Sequence, residues 1–522
     1  MKKARTAVAI LLCFVMLFCT ACSKNKDDKD GDSSGDNSSV DSVSVLQLLY
    51  CSSDTLNPFN TKNQLNVMIG RLIYEPLYSL SNEFEAIPVL AESISVNEKV
   101  YTVKLIPTKF SDGSAVTAED VLSSFLLAKE SPLYSYLFYN VSSAEATDEM
   151  SVSFTLKTLD PYFQNMLTFP IIKKDSDKLT DSDNVELPPI GSGKFVFSES
   201  EALSEKMLIK NTQYHGECDI DIIKLVDAPD SEAVAHHVEV GATDIYYTDP
   251  ANGNIVRMSG QKSSVNLSNL VYIGVNHSKG RLSDPATRQA LSAALDRTAL
   301  AKTSYYGNAV AAPGFFHPNF KPCIGYQTIQ LTADNKICIE NLEKIGYNRL
   351  DSDGFYLNEK GDRLEFDLLV NDENSARVAA ANLISEQAAE VGIKINVNAV
   401  DSELYLAAIK ANNFELYIGE VKISQNMDMS ELVLPGGSAA FGVLAPKKTT
   451  DESGAVSRDY TDVIEGIKKG EDLISSLATS LVTDLPVIPL VYRSSLLFYS
   501  KNVSEVSGAS AYDPFLSINS FI

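Results

Sequence analysis

The chain has 522 residues, 44% hydrophobic and 21% charged, with seven cysteines, no tryptophan and a formal charge of −24. That length suggests about three domains, and the composition suits packed cores rather than wholesale disorder. Asp and Glu outnumber Lys and Arg by 68 to 44, which argues against nucleic acid as a partner, since phosphates demand clustered cations; one long apolar run, at the N-terminus, argues against a multispanning membrane protein.

Lys2, Lys3 and Arg5 precede an apolar stretch from Ala7 to Phe18. Its length is that of a signal h-region and falls short of the ~20 residues of a spanning helix. The stretch ends in Cys19-Thr20-Ala21-Cys22, which resembles a bacterial lipobox in which Cys22 is lipidated after cleavage, with Cys19 where Leu is usual. An ordinary secretory signal is the alternative. Residues 22–45 are rich in Ser, Asp, Lys and Gly and are expected to form a disordered tether. A single acyl chain anchors weakly, so the diacylglyceryl type is expected. Loss of residues 1–21 removes three basic charges and leaves −27.

Beyond the lipid site four cysteines remain, Cys51, Cys218, Cys323 and Cys338, too scattered for a disulfide scaffold. Cys323 and Cys338 could pair or stand as buried thiols. Neither the cysteines nor the five histidines show metal-ligand spacing, so no metal and no cofactor is expected.

Leu46–Tyr50 reads as a short strand, and a helix is expected from about Asn63 to Tyr74. In Val100–Ile106 the alternation puts Tyr101, Val103 and Leu105 on one buried face. Thr117-Ala118-Glu119-Asp120 is a capping box that opens a helix through Lys129. Met150–Leu156 alternates again, completing an α+β module near 62–180. Ser283-Asp284-Pro285 starts a helix running to Leu295. A strand (Leu364–Val370), an Ala-rich helix (Ala376–Val391) ended by Gly392, and a strand carrying Ile393, Ile395 and Val397 form a βαβ crossover, hence parallel strands. A last strand spans Leu490–Leu497.

Gly191-Ser192-Gly193-Lys194 lacks the spacing of a phosphate loop, with Pro188 and Phe195 at the deciding positions, and reads as a turn with permissive glycines. No nucleophile elbow or zinc-protease motif is present, and His236-His237-Val238-Glu239 reads as a solvated helix face. An enzyme is not expected.

Eight segments occur in one order: Ile73–Leu80 (IYEPLYSL), Ile87–Val96, Phe110–Val121 (FSDGSAVTAEDV), Pro188–Phe197 (PPIGSGKFVF), Gly241–Ile245, Gly274–Arg297, Glu390–Ile395 and Leu485–Arg493 (LPVIPLVYR). Together the chain resembles the ABC-importer solute-binding proteins that carry oligopeptides, dipeptides, nickel complexes and some sugars. The resemblance implies an α/β, two-lobed flytrap fold with an extra small α+β domain in the first lobe. It implies a discontinuous first-lobe domain (46–61, 181–269 and 487–522), an inserted domain (62–180) and a second lobe (270–486). A monomer is implied, tethered to the membrane, that closes on a short peptide and delivers it to an ABC permease and ATPase. A sensor or interaction lipoprotein of the same fold is the alternative.

The same resemblance carries ligand contacts onto Asn60 and Thr61, Tyr247 and Thr248, Tyr272 and Asn276, Asn426, Met427 and Asp428, and Tyr492. Each tyrosine reads equally as a core or rim residue. Asp428 is the expected partner of a ligand amino terminus, or else a loop carboxylate. Relatives carry a Trp followed by an Asp-Pro pair near Gly419–Leu432; this chain has no Trp, and Met429 follows Asp428.

Overall fold

The computed structural model describes residues 45–178, 187, 189–200, 205–250, 258–324, 330–448, 457–503, 506, 508–516 and 518. The signal segment, the lipobox with Cys22 and the tether up to residue 44 lie outside the described residues. Val45, expected in the tether, instead opens the first strand (Val45–Tyr50), which pairs in parallel with Ile222–Asp227. Two further antiparallel strands, Glu205–Lys210 and Phe195–Ser200, complete this four-stranded sheet.

Local signals in the sequence set the next elements. Asn63 caps the helix Gln64–Ile73 by accepting from the Leu65 N–H over 2.8 Å. Ala91–Asn97, Val100–Leu105, Ser151–Leu156 and Val141–Asp148 form a separate antiparallel sheet. Tyr101, Val103 and Leu105 share its buried face, under the helix Ala118–Glu130. The Asp120 carboxylate accepts from the Thr117 N–H at 2.8 Å and its hydroxyl at 2.7 Å, and this fixes where that helix starts. Phe125 of that helix meets Phe138 and Phe154 edge to face, and Phe154 meets Phe163 likewise, as ring quadrupoles prefer.

The expected crossover is present: Glu365–Asn371, the helix Ser375–Glu390 and Lys394–Val400, with the two strands parallel. Gly392 adopts φ +78° to end the helix. The sheet is nevertheless mixed. Leu416–Lys422 continues it in parallel, but Gln261–Val275 and Ile488–Tyr499 join antiparallel to their neighbours.

Those last two strands join the lobes. Gln261–Val275 pairs with Ile488–Tyr499 from Gln261↔Tyr499 to Asn266↔Ser494, then resumes at Leu270↔Tyr492 after a bulge. Before the bulge its side chains enter the first-lobe core, as Val265 does with Leu497 and Tyr499. After it, Leu270 to Val275 enter the two second-lobe cores. A bulge is the usual device for re-aiming a strand. All twelve residues of Ile488–Tyr499 are buried, because the strand is covered along its whole length.

The glycines of Gly191-Ser192-Gly193 serve close approach to backbone rather than conformational freedom. A Cβ on Gly191 would lie 1.9 Å from the Ile73 carbonyl oxygen, and one on Gly193 2.6 Å from that of Leu72. The loop seals the C-terminal end of the Gln64–Ile73 helix, with the Gly193 N–H donating to Ile73. Cys323 and Cys338 are free thiols buried in different cores, both pushed up to about 12 by that burial.

Candidate functional site

A cavity of about 780 Å³ opens where the first lobe meets the bulge, within the size range of small-ligand sites. Its walls are the starts of two helices (Asn63 to Met68, Asp230 to Val234), the strand Ile245–Thr248 with Asp249, the bulge residues Leu267 to Asn269, and Tyr512. Lys422, at the end of Leu416–Lys422, reaches in from the second lobe. Tyr247 and Thr248 are held there by pairing with Leu497 and Leu496. Burial pushes the Tyr247 and Tyr512 hydroxyls up to about 12, so both stay neutral hydrogen-bonding groups.

A charge network lies behind this wall. Arg493 grips Asp249 with two parallel bonds, 2.5 and 3.0 Å, and donates to Glu420 at 2.7 Å. Glu420 also accepts from Arg377 at 2.7 Å and from Asn269 at 2.9 Å. Burial alone would lower the Arg493 guanidinium, yet its two carboxylate partners hold it above its ordinary value. Burial likewise raises Glu420, and the two arginines bring it back below the usual carboxylate value. Two charges of each sign thus cancel where the strands cross between lobes.

A second groove of about 270 Å³ follows the seam between the lobes. Across it the Asn426 amide donates to Asp160 at 2.7 Å, and the Tyr139 hydroxyl donates to Asp428 at 2.7 Å. Asn165 donates to the Gln425 carbonyl and Thr168 to the Gln425 side chain. Met427 holds the left-handed φ of +57° and is 1% exposed. Its side chain pins the turn that presents Asn426 and Asp428 to the opposite lobe. Phe84, on a first-lobe hairpin, is buried in a second-lobe core beside His317, the ring centroids 4.8 Å apart.

The sequence-predicted site residues therefore fall in several places. Tyr247 and Thr248 line the cavity, and Asn426, Met427 and Asp428 line the seam groove. Thr61 is buried and donates to Asp54 at 2.8 Å, while Asn60 is exposed on the same turn. Tyr272 is 2% exposed and bonds Tyr417 and the Ala439 carbonyl. Asn276 donates to the Asn412 and Phe414 carbonyls, and Tyr492, fully buried, donates to Phe315. These last three stand in second-lobe packing, outside both walls. The sequence reading passed over Lys422, Tyr139, Asp160 and the Arg493 network. Arg493 had a signal, being a charge that directly follows the apolar run Leu485–Tyr492. His236 is exposed and His237 faces the Asp227 carbonyl, in keeping with a solvated helix face.

Residues 85–439 match the family described as bacterial extracellular solute-binding proteins, family 5, middle. The chain belongs to this family. The glutathione-binding protein GsiB of Pectobacterium atrosepticum is 26% identical over 364 residues, 67% of each chain, and that of Escherichia coli K12 is 25% identical over the same shares to within a percent. In fold the chain is similar to the MppA periplasmic murein tripeptide binding protein in its unliganded open form, with a TM-score of 0.70 at 18% identity over 91% of this chain and 96% of that one. A nickel ABC transporter structure from Bacillus halodurans gives 0.69 at 20% identity over 88% and 96%. The two-lobed fold and the family membership give the chain a solute-binding role. Among the described residues no helix is long and apolar enough to cross a membrane.

Proposed function

We propose that this family member captures a short peptide in the 780 Å³ cavity, closes its lobes over it and delivers it to an ABC permease and ATPase. One observation carries the reading: the cavity adjoins the bulge through which both lobe-joining strands pass, and both lobes contribute to its wall. A ligand there contacts both lobes, so it stabilises the closed state by its differential affinity for that state. The glutathione- and tripeptide-binding relatives support a peptide-sized ligand.

In this reading Tyr247 and Thr248 touch the ligand, while Asn426 and Asp428 latch the lobes through Asp160 and Tyr139. Lipidation at Cys22 holds the monomeric receptor outside the membrane, and a Cys22→Ser chain is expected in the soluble fraction. Calorimetry of the purified protein against pooled di- and tripeptides is expected to show saturable one-to-one binding. A folded protein that binds none of them overturns the peptide reading.

A further inference from the structure

We propose that the cavity binds its ligand through a carboxylate, and that Lys422 is the group that receives it across the gap between lobes. The inference rests on reading this cavity as the ligand site. Among the described residues its wall carries the acidic and basic side chains Asp230, Asp249 and Lys422. Asp249 is gripped by Arg493, and Asp230 accepts the Ala233 N–H at 2.8 Å as a helix cap. Lys422 alone of the three has no hydrogen bond or ion pair among the described residues. Its ammonium instead stands 5.8 Å over the Tyr136 ring.

The surroundings favour an anion beside it. Lys422 is exposed where it lines the cavity, and neighbouring protein still shifts its ammonium below the ordinary value, with the Asp249 charge opposing. With protein on one side, a cation gains more from a partner than it would in bulk water. The helix Gln64–Ile73, capped by the neutral Asn63, presents its first turn to the cavity, and helix starts carry partial positive charge; at Ser231–Glu239 the Asp230 carboxylate already occupies that position. Lys422 is also the wall residue from the second lobe proper, the others belonging to the first lobe or the bulge. A carboxylate held between the first-lobe wall and Lys422 therefore links occupancy to closure.

The test compares Ala-Ala-Ala with its C-terminal amide, and succinate with succinamide, by calorimetry and thermal shift. Wild type, Lys422→Met and Lys422→Arg are used, with inorganic phosphate as a further probe. The expected result is at least tenfold tighter binding of the free acid by wild type, no preference in Lys422→Met, and a preference restored in Lys422→Arg. Equal affinity of acid and amide for wild type overturns the inference and leaves the peptide reading standing. If neither peptide binds, the peptide reading falls. Stabilisation by succinate over succinamide that Lys422→Met abolishes then upholds the inference. Stabilisation by neither, or by phosphate in place of both carboxylates, overturns it.

Discussion

The Asn426 amide of the second lobe donates to the Asp160 carboxylate of the first over 2.7 Å, joining residues 266 positions apart. Asp160 is 7% exposed. Burial pushes its carboxyl up to about 6, and the Asp428 charge adds to the rise, against the bonds from Asn426 and the Tyr162 N–H. An acid raised in the folded protein binds its proton more tightly there than in the unfolded chain. The folded form is therefore favoured fully below the ordinary value of 3.8, and that contribution fades as pH rises through about 6. The shift corresponds to about 3 kcal/mol. Calorimetric melting of wild type and Asp160→Asn between pH 4 and 8 should show the difference between them changing with this sign. His277 and His317, held down to about 4 and about 3 by burial, act in the opposite direction on both proteins alike. A difference that does not vary with pH would remove Asp160 from the latch.

Asp428 distinguishes an anchor from a latch. If its carboxylate serves only Tyr139, Asp428→Asn should weaken free-amine and N-acetylated peptides by the same factor. If it meets a ligand amine, the free peptide alone loses roughly tenfold or more, on the ~1.5–3 kcal/mol scale of a charged hydrogen bond. Paired titrations of the two peptides decide between them.

Phe84→Ala removes a first-lobe ring from a second-lobe core. A loss of about 3–5 kcal/mol is expected for such a truncation, borne mainly by lobe contact. Small-angle scattering should show a larger radius of gyration and calorimetry a weaker affinity. An unchanged radius would mean that the lobes are held together elsewhere.

Arg493→Met strips both Asp249 and Glu420 of a partner. Breaking a fully buried pair typically costs about 3–5 kcal/mol; Asp249 is partly exposed and Glu420 keeps Arg377, so a smaller loss is expected, which urea unfolding would register as a lower midpoint. Lys104→Ala, at an ion pair with Glu92 open to solvent, is the contrasting variant and should change little.

Gly191→Ala should destabilise the first lobe, because its Cβ would fall 1.9 Å from the Ile73 carbonyl oxygen. Nucleotide added to the wild type should leave its melting temperature unchanged. Stabilisation by nucleotide would reopen the phosphate-loop reading.

The sequence by itself determined the local elements and the family. Asn63, Thr117 with Asp120, Asp284 and Gly392 mark where helices begin or end, because capping depends on residues only a few positions apart. The signature segments stood in one order along the chain and carried the two-lobed fold with them. Tertiary structure decided which polar groups meet. Tyr247, Tyr272 and Tyr492 each read equally as a ligand contact or as a core or rim residue; the first faces a cavity and the others face packed cores, since burial of a strand face depends on what covers it. Lys422 is an unremarked charge in sequence. It becomes a cation of the cavity wall, unpaired among the described residues, only because a bulge at Asn266–Leu270 turns one long strand from the first lobe to the second.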